Sequence, residues 1–369
     1  MENKAKIKKE PLFHIVKRDN MSLPKRLLVY AVSILIGLLL TSIFCAVSNE
    51  KGKGIFDMFA SIFEGSLGTE RRIWLFLQDL ALLLGVSLAI VPAFKMKFWN
   101  LGANGQILIS CLVCYGCMFY GDKAGAAPGL IIPLMIVLSI LAGIIWAVIP
   151  AIFKAFFKTN ESLFTLMMNY IATGLVSVFI TIWFPTGSGS VKPVNSIVLP
   201  EVFNKYLLTI IVVAVLTAIM TLYLKKSKQG FEVALVGESE NTAKYVGINV
   251  KKVIIRTLII SGAICGIIGM LLAGSINHSV NENMANNMGF TAIMTAWLAK
   301  FNPLAMIGTC ALITFISKGM GQVRTDFGFY NDALTNVVLG VIYFFIIACD
   351  FFITYKIVFR KKEKNKEVA

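Results

Sequence analysis

The sequence predicts an all-α polytopic membrane protein with about ten transmembrane or re-entrant helices, and three observations carry that prediction. Hydrophobic residues make up 57% of the chain and the mean hydropathy is +0.76, where a soluble domain is roughly half apolar and richer in charge. The apolar residues are gathered into blocks, most of them near the length of about 20 residues that a helix needs to cross a bilayer. The basic residues stand beside those blocks rather than within them. A transmembrane barrel would show short alternating strands instead.

The blocks justify the elements in order. Residues 27–47 follow a basic segment, 1–26. They are too long for the apolar core of a secretory signal, and no small-x-small cleavage site follows, so they read as a retained span. Residues 74–94, 101–120, 129–153, 163–184, 206–224 and 254–276 read as further spans. Residues 288–300 are short and weakly apolar and read as a partial or re-entrant element paired with 304–317. Residues 333–353 complete a transmembrane domain over 27–354, which carries one polar insert, 225–252, and a basic tail, 355–369.

The net charge is +15, and its distribution argues for topology rather than for nucleic-acid binding. Lys4, Lys6, Lys8, Lys9, Lys17, Arg18, Lys25 and Arg26 precede the first span. Lys356, Arg360, Lys361, Lys362, Lys364 and Lys366 follow the last, and Lys225, Lys226, Lys228, Lys244, Lys251 and Lys252 sit in the insert. The positive-inside rule places all three on the cytoplasmic side, with both termini inside. Loops 186–200 and 277–287, which hold only Lys192 between them, then fall outside. Lys51, Lys53, Arg71 and Arg72 also fall outside, against the rule.

Enzyme chemistry finds no footing. The phosphate loop G-x-x-x-x-G-K-[ST], the dinucleotide motif G-x-G-x-x-G, H-E-x-x-H and G-x-S-x-G are all missing. Cys111, Cys114 and Cys117 form overlapping C-x-x-C patterns inside an apolar block, where cysteine acts as a small hydrophobe. No metal or other cofactor is expected.

Three polar constellations interrupt this apolar background. Asn100-Leu101-Gly102-Ala103-Asn104-Gly105-Gln106 puts three amides and two glycines between apolar blocks. A loosened polar backbone at membrane depth belongs in buried protein or beside a wet cavity, so Asn100, Asn104 and Gln106 are expected on a substrate pathway. A similar opening, Asn287-Met288-Gly289, leaves room for a two-fold internal repeat. Asn160 or Ser162 can cap the next span, and Thr165 and Asn169 then share one helical face. That face either lines a pathway or hydrogen-bonds a neighbouring helix. In the insert, Ser239 suits an N-cap, Glu240 a first turn and Gly247 a C-cap. The helix of about two turns between them is too short to stand alone in water, so it packs either on the protein's own ends or on a partner. Gly262 and Gly266 form a small-xxx-small packing pattern.

Four phrases in order carry a resemblance: N-L-G-A-N-G-Q at 100–106, N-E-S-L-F-T-L-M-M-N-Y-I-A at 160–172, the segment 230–248, and Asn302-Pro303. Together they resemble the membrane permease subunits of ATP-binding-cassette importers, in the branched-chain amino acid, ribose and nucleoside group. Within that group they sit nearest the nucleoside and simple-sugar permeases. The family's usual Glu in the first phrase is Asn104 here, and its usual Arg in the third is Ala234. The resemblance implies a bacterial plasma membrane protein that carries nucleosides or related sugars, with Asn100, Asn104, Gln106, Thr165 and Asn169 on the substrate pathway. It implies docking of ATP-binding subunits at Glu238, Ser239, Asn241, Tyr245 and Gly247. It also implies a second permease chain, paralogous or identical, and an extracytoplasmic substrate-binding protein. The competing reading is a stand-alone ion-coupled carrier, for which Asp79, Asp332 and Asp350 are the candidate coupling groups. A scaffold would gain nothing from amides in hydrocarbon.

Overall fold

Hydrocarbon offers no partner to a backbone N–H or C=O, so an apolar run that enters a bilayer closes its own hydrogen bonds as a helix. The computed structural model follows that rule. It describes residues 13–18, 21–48, 51–185, 191–329 and 333–359. In chain order the elements are strand β1 (Phe13–Lys17), then helices α1 (Leu23–Ser48), α2 (Ile55–Leu67), α3 (Glu70–Lys95), α4 (Ala103–Lys123), α5 (Pro128–Phe157), α6 (Glu161–Trp183), α7 (Leu207–Lys226), α8 (Lys228–Glu238), α9 (Glu240–Tyr245) and α10 (Val250–Leu271). A π-helical turn, Leu272–Asn277, continues α10. The chain then forms α11 (Met288–Leu298), α12 (Pro303–Phe327), α13 (Ala333–Thr354) and strand β2 (Tyr355–Phe359). Among the described residues, eight helices are long and apolar enough to cross a membrane, and α11 and α13 contribute two shorter apolar stretches. The protein is a polytopic all-helical membrane protein.

Two compact units emerge from the contacts, residues 63–319 and residues 1–62 with 320–369. In the larger unit α3, α4 and α10 are the inner helices, with 61%, 72% and 67% of their apolar windows buried, against 22% for α5. Leu130, Ile145, Val215 and Ile219 on α5 and α7 face outward, as lipid-facing side chains do. α10 packs on α5, α4 and α3. Its small-residue stripe explains the closeness: a Cβ at Gly262 would lie 2.5 Å from the Gly143 carbonyl and 2.6 Å from the Ala147 methyl. Lipid supplies no hydrophobic drive between helices, so such backbone contact holds the pair together. Segment 191–200 crosses the far end of α10, where Val194 N–H donates to His278 O and Leu199 N–H to Gly274 O at 2.9 and 3.0 Å. The Tyr115 hydroxyl donates to Lys192 O at 2.8 Å.

The smaller unit pairs α1 with α13. The Ser33 hydroxyl donates to Cys349 Sγ at 2.8 Å. β1 and β2 run antiparallel, Phe13 opposite Phe359 and Lys17 opposite Tyr355. That ribbon was not expected in the basic end segments. Phe-His-Ile-Val-Lys and Tyr-Lys-Ile-Val-Phe are rich in β-branched and aromatic residues, and they pair once the ends lie side by side. Residues 1–12 and 360–369, which hold most of the terminal charge, lie outside the described residues.

Two further differences have local causes. α2 escapes the hydropathy reading because it is short and one-sided, exposing Phe56 and Phe63 while burying Met58 and Ile62. The block expected to end at Ser317 continues as α12 to Phe327, because Lys318, which interrupts the hydropathy, is paired with Asp79. Basic residues that offend the charge rule are held by local partners. Arg72 donates to Glu64 O at 2.7 Å and Lys51 to Thr325 O at 2.7 Å.

Gly262→Leu should force α10 away from α5 and destabilise the detergent-solubilised protein by about 1–3 kcal/mol, the usual cost of overpacking. Gly174→Ala, where a Cβ meets nothing within 4 Å, should leave the thermal unfolding midpoint unchanged. Parallel thermal melts of the two variants check this.

Candidate substrate pathway and coupling surface

The site begins where α3 stops. Phe98 N–H donates to Ala93 O and Lys97 N–H to Phe94 O, both at 2.9 Å, with Lys97 left-handed at φ 58°. This is the Schellman ending, in which the residue after the turn folds back on the helix. Phe98 is accordingly buried, and Asn100 is carried into the interior. α11 ends the same way, with Lys300 N–H to Trp297 O and Phe301 N–H to Ala296 O at 2.9 Å. Each ending places Lys then Phe, with Asn close behind. The two ends meet through Trp99 against Trp297 and Phe94 against Phe301, both with centroids 5.9 Å apart. The shared Lys-Phe ending of α3 and α11 is a fuller repeat signal than the two Asn-x-Gly openings.

Between α3 and α4 the backbone has no helical partners, and side chains supply them. Asn100 Oδ1 accepts from Gly102 N–H at 3.0 Å. Thr165 Oγ1 accepts from Leu101 N–H at 3.1 Å. Asn169 serves two groups: its Oδ1 accepts from Gly105 N–H and its Nδ2 donates to Leu101 O, both at 2.8 Å. Asn104 Oδ1 accepts from Gly289 N–H at 2.8 Å, joining the start of α4 to the start of α11. Gln106 Nε2 and Asn100 Oδ1 are 3.5 Å apart, and Asn100 Nδ2 donates to Ser261 Oγ at 3.4 Å. All five sequence-selected residues are brought together, and all five are buried. For Thr165 and Asn169, of the two roles left open, the geometry supplies the hydrogen-bonded neighbour. Gln106 Oε1 and Thr257 Oγ1 are buried with no protein partner among the described residues. Ser261, buried on α10, joins the cluster through Asn100 and was not selected from the sequence.

The insert forms two short helices rather than one. Ser227 Oγ accepts from Gly230 N–H at 2.9 Å and starts α8. Ser239 Oγ accepts from Thr242 N–H at 3.2 Å and starts α9, while Gly247 ends it at φ +85°. Glu238 therefore closes α8, and Asn241 lies in the first turn of α9. The inward face, Val233, Val236 and Ala243, is buried with Met96, Phe98, Ala151 and Ile254 in one apolar cluster. The outward face leaves Tyr245 91% and Val246 66% exposed. Arg256 pairs with Glu232 at 2.9 Å and Lys154 with Glu161 at 2.7 Å, bracing the cluster from two sides.

With this geometry in hand, the chain can be set beside known proteins. Residues 73–347 match the family described as the branched-chain amino acid transport system permease component. The chain belongs to that family. It is 26% identical over 332 residues to the guanosine ABC transporter permease protein NupP of Bacillus subtilis, covering 87% of this chain and 92% of that one. It is 25% identical over 343 residues to the nucleoside ABC transporter permease protein NupB of Lactococcus lactis, covering 88% and 91%. It is 24% identical over 321 residues to the glucose ABC transporter permease protein TsgB13 of Haloferax volcanii, covering 82% of each. No solved structure matches it. Permeases of this family are transport components and not enzymes.

The groups nominated for ion coupling have mixed fates. Asp79 pairs with Lys318 across α3 and α12, a partner that hydropathy alone does not reveal. Asp332 lies outside the described residues, as does the side chain of Asp350.

Asn169→Leu strands Gly105 N–H and Leu101 O in a buried site and should cost about 2–4 kcal/mol. Tyr170→Leu, whose parent side chain is exposed, should stay within about 0.5 kcal/mol. Unfolding in mixed micelles, followed by tryptophan fluorescence, measures both.

Proposed function

We propose that this permease forms the translocation pathway for nucleosides or related sugars in a bacterial importer driven by separate ATP-binding subunits. The observation that carries the reading is the two-sided insert. Its inner face is packed into the permease, and its outer face exposes Tyr245 and Val246 among Glu240, Asn241, Thr242 and Lys244. A helix of six residues has little stability of its own. One that projects Tyr245 and Val246 into water gains from a partner that covers them.

The residues proposed for that docking are Glu238, Ser239, Asn241, Tyr245 and Gly247. Nucleotide-driven closure of two ATPases would push on α9, and the apolar cluster would pass the push to Phe98. Phe98 adjoins the amide-bonded junction that fixes the starts of α4 and α11. In this reading Asn100, Asn104, Gln106, Thr165 and Asn169 form the cytoplasmic floor of the pathway. Their bonds must be exchanged as the floor opens, and the spare acceptor of Gln106 is available to a passing solute. The permease has no fuel site of its own, so differential binding between states comes from its partners.

The β1–β2 ribbon, which sets the chain ends side by side, supports both termini lying on one face of the membrane. The basic residues of residues 225–252 support the cytoplasmic face. Substrate would arrive from an extracytoplasmic binding protein, and the pathway would be completed by a second permease chain, paralogous or identical. No nucleic-acid role is proposed.

Two measurements test the reading. Tagged wild type, solubilised mildly, should bring down an ATPase that Tyr245→Asp loses; if wild type brings down none, the stand-alone carrier takes its place. Asn104→Leu should lower uptake of labelled guanosine while assembly persists. Asn104→Asp, which keeps an acceptor for Gly289 N–H, should retain more uptake than the leucine variant. Equal uptake by Asn104→Leu and wild type would remove Asn104 from the pathway.

A further inference from the structure

The ion pair Asp79–Lys318 stands where a charge is expensive. Asp79 is nine residues from the start of α3 and sixteen from its end, about 14 Å and 24 Å along the axis at 1.5 Å per residue. Lys318 is nine residues from the end of α12 and fifteen from its start. The two helices therefore run antiparallel past one another, and eight residues further along each, Ser87 Oγ and Cys310 Sγ lie 3.7 Å apart. A helix of α3's length overhangs a hydrocarbon layer of about 30 Å by only a few ångström at each end. Asp79 thus lies five residues, about 8 Å, inside the apolar block that starts at residue 74, and Lys318 directly follows the block 304–317.

The pair is also not sealed. The Asp79 side chain is 39% exposed and that of Lys318 34%. Charged groups at that depth face protein or water, not lipid. One turn beyond Lys318 on the same side of α12, Gly321 is exposed, and a Cβ there would meet nothing within 4 Å. A half-exposed ion pair is a poor surface for acyl chains and a good wall for a watery passage.

We infer that Asp79 and Lys318 line the solute pathway in the half of the membrane away from the amide floor, and contact an uncharged, hydroxyl-rich solute. This rests on the transport reading above and deepens it. The carboxylate offers acceptors and the ammonium three donors. Together they carry no net charge, so they can hydrogen-bond both ends of a hydroxyl group without holding a counter-ion. A free Asp would instead attract cations and a free Lys anions. The same pairing gives Lys318 a counter-charge at the end of the apolar block 304–317.

The test uses cells that express the complete transporter with Gly321→Cys or Lys318→Cys, treated from outside with a charged, membrane-impermeant thiol reagent. The wild-type chain supplies the cysteine background, and Val215→Cys on the outward face of α7 supplies the lipid-facing control. Gly321→Cys leaves the ion pair intact, so it reports even where loss of Lys318 impairs folding. The expected result is modification of residue 321 about tenfold or more faster than residue 215, because a charged reagent enters hydrocarbon poorly. Guanosine, uridine or glucose should slow it. If residues 318 and 321 react as slowly as residue 215, or react with no protection from any of the three solutes, the inference is overturned. The importer reading is judged separately, by ATPase copurification and by wild-type uptake. A sealed pair with intact uptake would therefore sink the inference alone.

Discussion

A break in a helix inside an apolar environment leaves backbone donors and acceptors that neither water nor lipid can satisfy, and each costs several kcal/mol if left bare. The larger unit is organised around one such break, from Met96 to Gly102. Asn100, Thr165 and Asn169 supply the missing bonds at 2.8–3.1 Å, and Asn104 extends the same service to the start of α11. These four short side chains determine where α3, α4, α6 and α11 can stand. The surrounding apolar packing accommodates that arrangement, and glycine contacts such as Gly262 on Gly143 let α10 come close enough to enclose it.

The same break joins the insert 225–252 to the interior. Phe98 belongs both to the apolar cluster that seats α8 and α9 and to the turn that delivers Asn100. A displacement of α9 has a short mechanical route, through one aromatic side chain, to the hydrogen bonds that hold two spans. Interiors packed this way shift between discrete arrangements rather than bending smoothly. Polar bonds that must be exchanged in the process make such a junction a natural place for a threshold.

Much of the fold was legible because the period and length of apolar runs are strong signals in a membrane protein. The blocks became α1, α3 to α7, α10, α12 and α13, and the weak block at 288–300 became the short α11. Caps were legible for local reasons: Asn160 and Ser239 accept from their N3 amides, at 3.1 and 3.2 Å. The residues gathered at the amide cluster were visible because amides and glycines stand out in an apolar chain. What was hidden depended on distant partners. Lys318 ends an apolar block by composition, yet α12 runs on through it to Phe327, and its partner Asp79 lies 239 positions earlier. β1 has no identity without β2. Ser261 looks like an ordinary small residue of a span until Asn100 arrives beside it. Burial, which sequence does not print, sets which amides tie the loop.

The pairing of α1 with α13 bears on how the protein is made. α1 leaves the ribosome long before its partner, since the helix that covers it begins 285 residues after α1 ends. At about 5–20 residues per second, the first span waits roughly 15–60 s for its partner. During that interval Ser33 and Thr41 face lipid or the insertion machinery, and Thr41 can turn back on the Gly37 carbonyl, which satisfies it without a neighbour. The larger unit, whose pairings close earlier in synthesis, can be complete before the smaller one exists. The pairing of α1 with α13 therefore becomes possible only after the helices of the larger unit have been made.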